Sequence, residues 1–144
     1  MMTNLLVIDD DRVEHVLLSR IVRSVDPEIE IRKFTYAEEA LVYLRSPDRP
    51  IPRAIFVDID MPRMDGFAFV EAYDGLYPEL KGPTQIWMMS NSIDPRDRER
   101  AENSASIMGY IEKSSSKEVF AEKIRLALHD TAQSAILDRA HAVR

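Results

Sequence analysis

Apolar residues recur along this chain in two rhythms. Leu5 to Ile8, Ile55 to Val57 and Ile86 to Met89 are short unbroken runs, bounded by polar or turn-forming residues. A strand that is apolar at every position must be covered on both faces, so these runs predict strands inside a parallel sheet. The stretches between them follow helical spacing. Val13, Val16, Leu17, Ile21 and Val25 alternate with Arg12, Glu14, Arg20 and Arg23, which predicts an amphipathic first helix ending near Asp26 and Pro27. Glu28 to Phe34 alternates polar and apolar, as a half-exposed edge strand does. Thr35 with Glu38 forms a capping-box pattern for a second helix carrying Ala40, Leu41 and Leu44.

Ser46 to Arg53, with three prolines, reads as a loop into the central strand. Asp65 can cap a third helix with Phe67, Phe69, Val70 and Tyr73 on its apolar face, and Asp74 to Pro83 reads as a long polar connection. The fourth strand spans Gln85 to Met89. Asp94 and Pro95 then supply an N-cap and a first helical position, but the helix body from Arg96 to Ala105 has few apolar residues and predicts the least firmly packed helix. Ile107 to Glu112 is the fifth strand. Ser115 with Glu118 repeats the capping-box pattern before a helix carrying Val119, Phe120, Ile124, Leu126 and Leu128. Five β-to-α alternations predict a parallel sheet with helices on both faces, and the right-handed crossover rule leaves few topologies.

Chemistry collects where the strands end. The first run stops in Asp9, Asp10 and Asp11, and the central run delivers Asp58 before Met61, Pro62 and Gly66 end it. Ligands of open parallel sheets sit outside the carboxyl ends of the strands, so these carboxylates point into a site. Like charges about 4 Å apart repel by roughly 4 kcal/mol at an effective dielectric near 20. A cluster of Asp9, Asp10 and Asp58 therefore needs a cation, a lysine or shared protons. Oxygen-only ligands favour a hard ion, Mg2+ before Zn2+.

The composition narrows the class. The 144 residues suit one core without a structural metal or disulfide. A formal net charge of −6 argues against a nucleic-acid surface, so an output read by protein contact is expected. Cysteine is absent, the amino terminus lacks a signal-peptide pattern, and no apolar stretch is long enough for a membrane span; cytoplasm is the expectation.

From about Asn4 to about Leu128, the chain resembles the response-regulator receiver domains of two-component signalling. The resemblance rests on Asp9 and Asp10 after the first strand, and on Asp58 followed by Met61-Pro62 and Met64-Asp65-Gly66. Ser90 after the fourth strand and Gly109, Tyr110 and Lys113 around the fifth complete it, all in family order. The resemblance implies a flavodoxin-like, doubly wound α/β fold with strand order 2-1-3-4-5. It also implies Asp58 as phosphoacceptor, with Mg2+ on Asp9, Asp10, Asp58 and the backbone carbonyl of Asp60. Ser90 and Lys113 would contact the phosphoryl group, and Ser90 and Tyr110 would act as switch residues. A histidine kinase or histidine phosphotransfer protein would supply the group, and a downstream protein would read the result. The family usually has proline after the site lysine, with a cis bond between them; Ser114 stands there in this chain, so a trans bond is expected.

Two other readings use the same residues. Asp58 and Asp60 after an apolar strand also look like the nucleophile and acid/base pair of haloacid-dehalogenase-type phosphatases, though Pro62 departs from that pattern. An inert scaffold of the same fold would not need Asp10, Asp58, Ser90 and Lys113 together. Trp87 is expected in the core, and His15, His129 and His141 as ordinary surface or helix residues, since they match no ligand spacing. The domain is expected to span 1–130. Residues 131–144 would be a carboxyl-terminal helical extension, with Ala132, Ile136, Leu137 and Ala140 as the sparse stripe of a solvated segment or of a homodimer contact.

Overall fold

The computed structural model describes residues 4–91, 94–113 and 116–128. Among these residues, five strands and six helices follow in the order β1 (Asn4–Ile8), α1 (Arg12–Val25), β2 (Glu30–Phe34), α2 (Ala37–Leu44), β3 (Ala54–Asp58), α3 (Gly66–Asp74), α4 (Pro78–Lys81), β4 (Gln85–Ser90), α5 (Pro95–Glu102), β5 (Ile107–Glu112) and α6 (Lys117–Leu128). The sheet is parallel throughout, in the order β2-β1-β3-β4-β5. That is the flavodoxin-like arrangement expected from the sequence.

Side chains alternate across each strand, so the unbroken apolar runs divide between two cores. Leu6, Ile8, Ile55, Val57, Ile86 and Met88 face α2 and α3, meeting Leu41, Leu44, Phe67, Phe69, Val70 and Tyr73. Leu5, Val7, Phe56, Trp87 and Met89 face α1 and α6, meeting Leu18, Val22, Phe120 and Ile124. Trp87 is buried, as expected, with its ring stacked on Phe56 at 6.3 Å and Nε1 donating to Gln85 at 3.2 Å. Its bulk explains the β4–β5 irregularity, where Ile86 pairs with Ile107 but Trp87 pairs with Gly109. A Cβ at Gly109 would lie 2.4 Å from the Trp87 ring.

Several local expectations shift. Tyr36, not Thr35, is the N-cap of α2, and it makes no side-chain cap bond. Glu38 reaches out instead to Arg63, whose Nε lies 3.2 Å from Glu38 Oε1 and whose guanidinium lies 4.0 Å over the Tyr36 ring. A tertiary cation has displaced a local cap. The connection after α3 contains the one-turn α4, which starts at Pro78 and is tied by Arg49 Nη2 donating to the carbonyls of Leu44 at 2.7 Å and Leu80 at 2.5 Å.

The cap of α6 falls on Ser116, whose Oγ accepts from Val119 N at 3.3 Å; Ser115 lies outside the described residues. Asp65 and Asp94 cap α3 and α5 as expected, and α5 buries only Ala101. No helix among the described residues is long and apolar enough to cross a membrane. The proposed 131–144 extension, His129 and His141 also lie outside them.

Candidate functional site

Strand order reverses between β1 and β3, which leaves a crevice at their carboxyl ends. Ile8 pairs with Val57, so the residues that follow, Asp9 and Asp58, emerge side by side. Asp9 is fully buried and Asp58 is 5 % exposed, whereas Asp10 is exposed. One oxygen from each of Asp9, Asp10 and Asp58 lies within 4.8 Å of the others.

Backbone geometry holds these carboxylates in place. Asp9 N donates to Phe34 O of β2 at 3.0 Å, and Asp9 Oδ1 accepts from Asp11 N at 2.9 Å. Asp11 in turn caps α1 by accepting from Val13 N at 2.9 Å. Behind Asp58, Gly66 N donates to Ile59 O at 2.9 Å, bringing the start of α3 against the end of β3. A Cβ at Gly66 would lie 2.5 Å from Asp58 O and 2.9 Å from Ile59 Cα, both rigid backbone atoms. Gly66→Ala is therefore expected to cost about 1–3 kcal/mol through overpacking, read as a lower urea midpoint with unchanged slope; a midpoint equal to wild type refutes the close-approach argument.

Lys113 enters from the far side. Its backbone N donates to Ser90 O at 2.9 Å, and its side chain, 3 % exposed, runs into the crevice. Nζ lies 2.6 Å from Asp9 Oδ2 and 3.3 Å from Asp58 Oδ1. One ammonium sits among three clustered carboxylates, and the balance shows in the titration of Asp58 and of Lys113 itself. Burial pushes Asp58 up to about 7, with Lys113 pulling it down and Asp9 adding to the rise. Burial would lower the Lys113 pKa, but its bonds to Asp9 and Asp58 outweigh that and raise it.

Asp9 Oδ2 is paired with Lys113 Nζ and has no further partner among the described residues. An all-oxygen donor set, excess negative charge and a buried oxygen with unused acceptor capacity fit a hard divalent cation.

Ser90, fully buried at the end of β4, donates to Asp60 Oδ2 across 3.5 Å. Tyr110 on β5 packs half-buried against the core on the α2–α3 side. Burial raises its phenol pKa, and a hydrogen bond with Ser90 opposes the rise. Arg98 of α5 stacks 5.4 Å over the Tyr110 ring and pairs with Glu112.

This crevice sits in a recognisable frame, since residues 5–125 match the family model of the response regulator receiver domain. The chain belongs to that family. Among solved structures, the receiver is similar to a two-component response regulator from Cytophaga hutchinsonii, with 25% identity, a TM-score of 0.76, and coverage of 90% of this chain and 98% of the other. It also resembles the chemotaxis response regulator CheY4 of Vibrio cholerae, with 22% identity, a TM-score of 0.71, and coverage of 89% and 100%. A curated relative, protein-glutamate methylesterase/protein-glutamine glutaminase 1 of Xanthomonas campestris pv. campestris, is 29% identical over 133 residues. The match covers 85% of the receiver but 36% of that relative, so the receiver spans about a third of its length.

Receivers are phosphoacceptors rather than enzymes with turnover, and membership implies a histidine kinase as partner. The Asp9, Asp10 and Asp58 triad is typical of the Mg2+ site of receivers. The haloacid-dehalogenase alternative falls with this assignment.

Of the residues expected from sequence, Asp9, Asp10, Asp58 and Lys113 come together directly, with Ser90 adjoining through Lys113 N and Tyr110 through Ser90. Asp60 adjoins through its side chain, where the expectation concerned its carbonyl. The Lys113–Ser114 bond lies outside the described residues.

His15 was missed. Expected as an ordinary surface or helix residue, it lies in α1 but is only 7 % exposed, with Nε2 2.6 Å from Asp9 O. Its place one turn inside α1, six residues after Asp9, was the available signal. A search for metal-ligand spacing passes over it, because it touches a backbone oxygen of the site rather than an ion. Glu14, read only as a polar position of the first helix, has its pKa raised, chiefly by burial, with Lys113 opposing the rise.

Proposed function

We propose that Asp58 accepts a phosphoryl group from a phosphohistidine of a kinase or phosphotransfer protein, and that the modified receiver signals by protein contact or passes the group on. A carboxylate oxygen of Asp58 forms the new P–O bond as the P–N bond breaks, and the imidazole leaves with the bonding pair and takes up a proton. The observation that carries this reading is the cluster itself, in which Asp58 stands at a strand end with Asp9, Asp10 and the Lys113 ammonium converging on it.

Such transfer needs positioning and charge neutralisation more than covalent chemistry from the protein. Lys113 supplies one positive charge, and Ser90 supplies a hydroxyl that can turn from Asp60 to a phosphoryl oxygen. Mg2+ held by Asp9, Asp10, Asp58 and the carbonyl of Asp60 would supply the remaining neutralisation. Because Ser90 is hydrogen-bonded with Tyr110, a turn of Ser90 changes what holds the tyrosine. Its ring contacts Arg98, so α5, β5 and α6 form the surface that reads the change.

Incubation with acetyl phosphate and Mg2+ tests the proposal. A base-labile label approaching one per chain, absent from Asp58→Asn, is expected. Steady release of phosphate at a rate unaffected by Asp58→Asn, or no label from either a small donor or a phosphohistidine protein, overturns it.

The cation requirement has its own readout. Saturating Mg2+ at a hundred times its dissociation constant should stabilise the fold by about 2.7 kcal/mol, and Asp10→Ala should lose most of that gain. A melting temperature blind to Mg2+ in both proteins refutes the metal site.

A further inference from the structure

We infer that His15 is a positioning residue of the cation and phosphoacceptor site, holding the Asp9–Asp10 peptide in the orientation that aims both carboxylates at Asp58. The inference rests on the function proposed above. Asp9 O can only accept, so Nε2, at 2.6 Å, carries the imidazole proton and donates it. Nδ1 is buried and has no hydrogen-bond partner among the described residues, so Nε2 is the ring's one anchoring contact there.

The remaining bonds around Asp9 show why this donor matters. Its N–H is held by Phe34 O, its Oδ1 by Asp11 N and its Oδ2 by Lys113 Nζ. The Asp9 carbonyl is a handle on the peptide that leads to Asp10, and rotation of that peptide swings the Asp10 side chain. Asp10 is exposed, so the direction of this peptide governs where its carboxylate stands. His15 is itself anchored: Ser19 Oγ donates to His15 O at 2.7 Å, and His15 N donates to Asp11 O at 3.3 Å, tying the imidazole to the first turns of α1. A side chain that touches no ion thus governs the geometry of two that would.

Two substitutions separate the donor from the ring. His15→Phe keeps a buried ring and loses the N–H, whereas His15→Gln loses the ring and places an amide N–H at comparable reach. Outer-shell hydrogen bonds of this kind typically change metal affinity by roughly 10- to 100-fold. Mg2+ dissociation constants from calorimetric titration, with melting temperatures in EDTA alongside, are expected to show His15→Phe weakened by at least about tenfold and His15→Gln close to wild type, whichever variant melts lower without metal. Beryllofluoride binding should follow the same order.

Phe and Gln equally weakened, or affinities that track the metal-free melting temperatures, would show that the ring matters only for packing and overturn the inference. Wild-type affinity in both variants overturns it as well, while the proposed function stands. Absence of Mg2+ binding by the wild type defeats the proposed function and this inference together. If His15→Phe does not fold, the decision rests on His15→Gln, whose wild-type affinity supports the inference and whose loss of binding refutes it.

Discussion

In EDTA at pH 8, Asp58→Asn is expected to melt on the order of 10 °C above the wild type, and the difference should vanish near pH 4. The Asp58 carboxyl is buried and has its pKa raised from 3.8 to about 7. A group whose folded pKa exceeds its unfolded one favours folding most below the unfolded value. That advantage is lost as pH rises through the folded pKa. The wild type should therefore shed stability between about pH 4 and 7, to a total near 4 kcal/mol at 1.36 kcal/mol per unit.

Asparagine mimics the protonated acid in shape and charge, so its curve stays flat across the window. A domain of this size shifts by about 2–4 °C per kcal/mol. Mg2+ should raise the wild type selectively and close the gap, because it removes the repulsion that the mutation removes by other means. Parallel pH–stability curves for the two proteins would exclude burial of an uncompensated Asp58 charge. A site that weakens the fold until a cation or a phosphoryl group arrives couples folding stability to the chemistry proposed for it.

Lys113→Met should have the opposite sign. Methionine retains much of the length and apolar character of the lysine stem but leaves Asp9 and Asp58 facing each other without the ammonium that lies 2.6 and 3.3 Å from them. Removing one partner of a buried ion pair costs about 3–5 kcal/mol, mostly because the other charge stays buried. Urea denaturation in EDTA at pH 8 should show a loss in that range. The double substitution with Asp58→Asn should recover a large part of it, a coupling expected of residues in contact. Labelling by acetyl phosphate should also fall sharply in Lys113→Met. A loss of stability below about 1 kcal/mol would mean that the pair contributes no more than an exposed one.

How far these residues were legible before folding depends on the range of the forces involved. Hydrophobic periodicity acts along the chain, so the strands at Leu5, Ile55 and Ile86 and the apolar face of α3 could be read from sequence, and the carboxylates ending two strands had to meet at one end of a parallel sheet. At α1 the helix was legible but its face was not: Val13, Val16 and Leu17 of the expected stripe are exposed, and His15, Leu18, Ser19 and Val22 are buried instead, because His15 and Ser19 are hydrogen-bonded to backbone carbonyls and can enter the core beside Leu18 and Val22. Helix caps were legible where the cap competes with nothing, as at Asp65 and Asp94. At α2 the pattern misled, because Arg63 from a distant loop takes Glu38 and stacks on Tyr36.

The same limit hid α4, which is fastened by Arg49 across 31 residues, and it hid the register shift in β5, set by the bulk of Trp87 against Gly109. By itself, the sequence determined which residues carry charge into the crevice and in what order the elements run. Only the tertiary structure decided that Asp58 is buried deeply enough to resist ionisation, that one lysine is shared between two carboxylates, and that His15 is turned inward onto Asp9. Desolvation and hydrogen-bond direction depend on what surrounds an atom in space, and nothing local in the chain encodes that.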